Sequence, residues 1–149
     1  MTRGALFAGL IICVGAQHAA AQQPRTARRS LRAELSAMND SLVSAFRGGN
    51  AAAVARFYAD DARMDGERGE VVEGRESIDR FWANVKNPKS WKLDVIAIGG
   101  RPDQPYEIGR STIVTSGPNG DRVSVVEYLL IFRRDARGKL RIIVDYYRY

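Results

Sequence analysis

The chain has 149 residues, a formal net charge of +6, and hydrophobic and charged fractions of 45% and 27%. These values fit one globular domain and exclude a disordered or low-complexity chain. Its single cysteine and single histidine, Cys13 and His18, both fall in the first 21 residues.

Those residues read as a secretory leader. Arg3 is the positive start, Leu6 to Val14 the apolar stretch, and Ala19-Ala20-Ala21 the small residues before a cut ahead of Gln22. Gln17 and His18 stop the run short of the roughly 20 apolar residues a membrane span needs. The expected product is periplasmic or secreted, and free of the membrane once cut. Loss of residues 1–21 removes Arg3, Cys13 and His18. A disulfide, a thiol nucleophile, a Ser-His-Asp triad and a His-containing zinc site are then excluded. Carboxylates, phenols, hydroxyls, Lys and Arg remain. Arg25, Arg28, Arg29 and Arg32 crowd the new N-terminus, but no aromatic residues interleave for base stacking. Nucleic acid is not an expected partner.

Residues 22–30 read as a linker. Leu31, Leu35, Met38, Leu42 and Phe46 then recur on one face of an amphipathic helix that Gly48-Gly49 ends. Asn50 suits the cap of a second helix, Ala51–Tyr58, burying Val54 and Phe57. Ala62–Asp65 reads as a short strand, Gly66–Gly69 as a turn and Glu70–Glu73 as the returning strand. Gly74 opens a third helix, Arg75–Val85, with Ile78, Phe81, Trp82 and Val85 inward, and Asn87-Pro88 stops it. Trp91–Ile98 and Tyr106–Thr115 read as strands. Gly117–Gly120 turns into a long hairpin of Val123–Phe132 and Leu140–Tyr147. Gly109 inside a strand predicts a bulge or bend. Helices followed by an antiparallel meander indicate an α+β domain over residues 31–149. Helices on the concave face of a curved sheet would enclose one pocket.

Four motifs carry a family resemblance. They are Phe57-Tyr58-Ala59-Asp60-Asp61-Ala62, Val72-Glu73-Gly74-Arg75-Glu76-Ser77-Ile78, Tyr106-Glu107-Ile108-Gly109, and Gly138-Lys139-Leu140-Arg141-Ile142 leading to Asp145. In this order they resemble the nuclear transport factor 2-like, or SnoaL-like, superfamily with its ketosteroid isomerase-like fold, and most closely an uncharacterised exported branch. The resemblance implies a cone-shaped half-barrel: a strongly curved antiparallel sheet with three N-terminal helices around a pocket. It also implies a homodimer. The isomerase's functional positions fall on Gly66, Leu42 and Leu129–Leu130, none of which matches.

Strand alternation places Glu107, Gly109, Ser111 and Ile113 on one face; Val123, Val125, Glu127, Leu129 and Ile131 on another; and Arg141, Ile143, Asp145 and Tyr147 on a third. If these faces line the cone, Glu107, Glu127 and Asp145 converge. Paired carboxylates raise one another's pKa and suit general acid/base work. They would also suit a hard cation such as Ca²⁺ or Mg²⁺. The alternative is ion pairing with Arg110, Arg122 or Arg141. The candidate catalytic residues are Asp145, Glu107 and Asp65. The candidate ligand-binding residues are Trp82, Tyr58, Tyr128, Tyr147, Glu127 and Arg110, with Tyr106 as a further aromatic wall. Trp82 leads among these, because the third helix faces the pocket in proteins the chain resembles. No cofactor and no metal is assigned. The expected function is binding of a small apolar or aromatic molecule. The alternative is an isomerase, cyclase or dehydratase-type enzyme working through pocket carboxylates.

Overall fold

The computed structural model describes residues 25–149, so the expected leader lies outside the described residues. Helix α1 spans Arg25–Arg47, and most of the expected linker is therefore helical. Its stripe is the predicted one: Leu31, Leu35, Leu42 and Phe46 are buried. The helix stops at Gly48-Gly49, where Gly49 adopts a positive φ of 78°.

The next segment, Ala51–Phe57, is a 3₁₀ helix rather than an α-helix. Asn50 caps it, its side chain accepting from the Ala53 amide at 3.2 Å. Ala51, Val54 and Phe57 recur every three residues, which is the period of a 3₁₀ face.

Strand β1 is Tyr58–Gly66, β2 is Val71–Glu73, and helix α2 is Arg75–Ala83. Strands β3 (Pro88–Arg101), β4 (Gln104–Gly117), β5 (Gly120–Arg134) and β6 (Leu140–Arg148) follow. The six strands form one curved, open sheet in the order β2-β1-β6-β5-β4-β3. The sheet is mixed, not wholly antiparallel as expected, because β1 runs parallel to β6. A parallel pair needs a long crossover connection. Strands β2 to β5, with α2 among them, supply it.

Of the sheet's four register irregularities among the described residues, two lie near Asp145 and Gly109. In β6, Phe132 pairs with Ile142 but Ile131 pairs with Val144, so Ile143 is an inserted residue. One extra residue switches the face that follows it. Leu140 and Ile142 before it, and Asp145 after it, are consequently all buried. The predicted common face of Arg141, Ile143 and Asp145 does not exist. Arg141 instead pairs with Asp135 at 3.0 Å and donates to the Arg56 carbonyl at 2.6 Å. The second irregularity lies in β3 between Val95 and Ala97. Gly109 on β4, where a bulge or bend was predicted, keeps a regular register with β5, and this β3 irregularity lies directly across from it: Val95 pairs with Gly109 and Ala97 with Ile108. The core is continuous from the α1 stripe through Val54, Ile78 and Trp82 to Phe132 and Ile142.

Candidate functional site

The concave side of the sheet, α1 and α2 enclose a cavity of about 220 Å³. Its position follows from the strand register. Glu107, Leu130 and Asp145 form one row across β4, β5 and β6, and Gly109, Tyr128 and Tyr147 form the next. Tyr58 and Met64 of β1, Trp82 of α2, and Trp91 of β3 close the sides. Trp82 and Trp91 stack with ring centroids 5.4 Å apart. The edge of Phe81 meets Trp82 at the same centroid distance.

Among the described residues, Asp145 is the one charged side chain that lines this cavity. The Tyr58 hydroxyl donates to its Oδ2 at 2.6 Å. Burial pushes the Asp145 carboxyl up to about 6, and the Tyr58 hydrogen bond works against that rise. Tyr58 is itself pushed far above the ordinary phenol value, by burial first and then by the neighbouring Asp145 charge. Removing the hydroxyl should let Asp145 rise further. In Tyr58→Phe, ¹³C-detected titration of the Asp145 carboxyl is expected to show a higher midpoint than wild type; an unchanged or lower midpoint would mean the bond does not hold the carboxylate.

Glu107 forms a second, separate cluster. It is 0% exposed and does not line the cavity. Tyr128 donates to its Oε1 at 2.8 Å, and Asn39 Nδ2 lies 2.9 and 3.0 Å from its two oxygens. Burial raises the Glu107 pKa, opposed by the bonds from Tyr128 and Asn39 and by Arg32. Tyr128 thus lines the cavity with its ring while its hydroxyl is spent on Glu107. The arrangement ties α1 to the sheet.

The three acids expected to converge therefore do not. Leu130 stands between Glu107 and Asp145, two strand spacings or roughly 10 Å apart. Glu127 points to the convex face, because β5 turns Tyr128 and Leu130 inward instead. There Glu127 pairs with Arg148 and, at 3.9 Å, with Arg110. Neither Glu127 nor Arg110 reaches the cavity. Asp65 is held by Arg63 at 2.7 Å on the face opposite Met64, so it too lies off the cavity. Tyr106 is on the outer face, 38% exposed. Trp82, Tyr58, Tyr128, Tyr147 and Asp145 do come together around the space.

Sequence reasoning missed Asn39, Trp91, Ser111 and Tyr149. Asn39 had a signal: it interrupts the apolar stripe between Leu35 and Leu42. Trp91 Nε1 donates to Ser111 Oγ at 2.8 Å, which sets the indole against the cavity wall. Tyr149 joins the mouth, its ring edge-on to Tyr147 and beneath the Arg68 guanidinium at 4.5 Å.

Comparison with known proteins gives the same picture at the level of the fold. A structure from Catenulispora acidiphila has a TM-score of 0.69 and 16% identity, covering 82% of this chain and 93% of its own. A second from that organism, solved in complex with S-DNPA, has a TM-score of 0.63 and 15% identity, covering 80% and 93%. A ketosteroid isomerase-like protein from Erwinia carotovora atroseptica has a TM-score of 0.62 and 16% identity, covering 78% and 93%. No curated protein sequence matches the chain. The SnoaL-like domain model matches residues 37–143, a span that ends two residues before Asp145. The chain belongs to the SnoaL-like domain family.

Proposed function

We propose that this domain binds a small, largely apolar or aromatic molecule in the cavity, with Asp145 meeting the polar end of that molecule. One observation carries the reading: a lone carboxylate, bonded to a buried phenol, opens into a space walled by aromatic and aliphatic side chains. Pockets of this composition use apolar walls for affinity and a few placed polar groups for orientation. The S-DNPA complex of the Catenulispora neighbour supports a small-molecule role for this fold. The leader-like pattern of residues 1–21, a basic start, an apolar run and small residues, supports export to the periplasm or beyond. Val123, Val125, Ile108 and Tyr106, exposed on the convex face, support a homodimer.

The two tryptophans of the chain, Trp82 and Trp91, both line the cavity, so intrinsic emission reports its occupancy. Native mass spectrometry of the purified protein, followed by emission titration with the co-purifying compound, is expected to show saturable one-to-one binding. An apo mass, together with flat emission across a panel of single- and double-ring aromatics, would count against the reading.

A second reading, proton transfer on the bound molecule, is favoured by the Asp145 pKa of about 6, which suits a general base near neutral pH. Under it, Asp145→Asn is expected to lower turnover of an enolisable ketone by roughly 10²- to 10⁴-fold while binding persists.

A further inference from the structure

From the side chains around Asp145 we infer that the molecule bound in the cavity is an organic cation, an amine or quaternary ammonium on an apolar body. This rests on the cavity being a binding site, and it names the charge of the occupant.

Asp61, Asp65, Asp103, Asp121, Glu34 and Glu127 each have an Arg or Lys partner within 4.0 Å. The chain has basic residues in excess, 23 against 17 acidic ones. Yet no Lys or Arg among the described residues lines the cavity. Among the described residues, Asp145, which does line it, is in no ion pair, and no basic side chain bears on its titration. The groups that face it, Tyr58, Tyr128 and Tyr147, are phenols whose own ionisation is suppressed by their surroundings. A buried carboxylate is costly without a counter-charge. The fold leaves that counter-charge out of the cavity.

The walls match the missing charge. Trp82, Trp91, Tyr58 and Tyr147 supply π-systems around one acid, while the Tyr149 ring at the mouth already carries the Arg68 guanidinium. Aromatic side chains attract cations through the ring quadrupole, and cages of them recognise quaternary ammonium groups. An anion would be repelled by the Asp145 carboxylate. A neutral apolar molecule would gain the walls but leave the carboxylate buried and uncompensated.

The test uses permanent charge, so that protonation of the probe plays no part. Tryptophan emission is titrated with benzyltrimethylammonium, with neopentylbenzene (its neutral carbon isostere) and with phenylacetate. Wild type is expected to bind the cation at least ~10-fold more tightly than the isostere, with phenylacetate weakest. In Asp145→Asn the isostere should bind as before and the cation should lose its advantage. Equal or tighter binding of the isostere by wild type would overturn the inference while leaving the cavity a binding site. So would a cation preference that survives in Asp145→Asn. If neither the cation nor the isostere changes the emission, the cavity reading and this inference both fall.

Discussion

Asp145→Asn will melt several degrees above wild type at pH 8 and at the same temperature as wild type below pH 4. The ordinary Asp value of 3.8 applies to the unfolded chain, whereas burial lifts the folded value to about 6. Below pH 3.8 both states hold the proton and the carboxyl contributes nothing to the difference. Between 3.8 and about 6 the folded state retains a proton that the unfolded state has released. Stability of the wild type therefore falls as pH rises through this window and levels off above it. A displacement of about two pKa units corresponds to about 3 kcal/mol. Asparagine keeps the shape and still accepts from the Tyr58 hydroxyl, so it should recover most of that amount. Thermal unfolding at a series of pH values checks the prediction. A variant less stable than wild type at every pH would show that Asp145 is held by stabilising contacts that outweigh its burial. The expected outcome, more stability with less function, is the usual mark of a group kept for its chemistry.

Gly109→Ala should be strongly destabilising. A Cβ there would lie 2.5 Å from the Tyr128 hydroxyl, 2.6 Å from its ring carbon Cζ and 2.7 Å from the backbone oxygen of Asp94. The first two can be relieved by moving the ring; the third belongs to β3 and can move only with that strand. Moving the ring breaks the 2.8 Å bond from Tyr128 to Glu107 and leaves a buried acid short of a donor. The expected loss is about 2–4 kcal/mol by chemical denaturation, from overpacking plus the lost bond. In a Tyr128→Phe background the same alanine should cost less, because the nearest obstructing atom is gone. Equal costs in the two backgrounds would assign the clash to Asp94 alone. The glycine is thus explained by the bed it makes for the Tyr128 ring and by the close approach of the β3 backbone.

Element types were legible wherever a period was long enough to read. The α1 stripe and the strands of the final hairpin follow from spacing and from the glycines between them. The second helix was legible as a helix, but its 3₁₀ type was not, because Val54 and Phe57 alone fit either period; Ala51, three residues before Val54, was the distinguishing residue. Aromatic candidates fared better than charged ones for a physical reason. Tyr58, Trp82, Tyr128 and Tyr147 are large and mostly apolar, so burial draws their rings inward. Glu127, Arg110 and Asp65 gain as much from a partner on the outer face as from any pocket.

Composition and local pattern, by themselves, determined an α+β chain with amphipathic helices, a long final hairpin and an exported domain without thiol or imidazole as the expectation. Which acid faces the cavity was decided only by the tertiary structure. Alternation within β6 puts Arg141 and Asp145 on one face, but the inserted Ile143 separates them, and an insertion is defined by the partner strand. Likewise Glu107 was separated from Asp145 by Leu130, a residue of a third strand. Faces of a strand are local, whereas register is a property of pairs. That is why the residue types of the site could be read from the chain and their grouping could not.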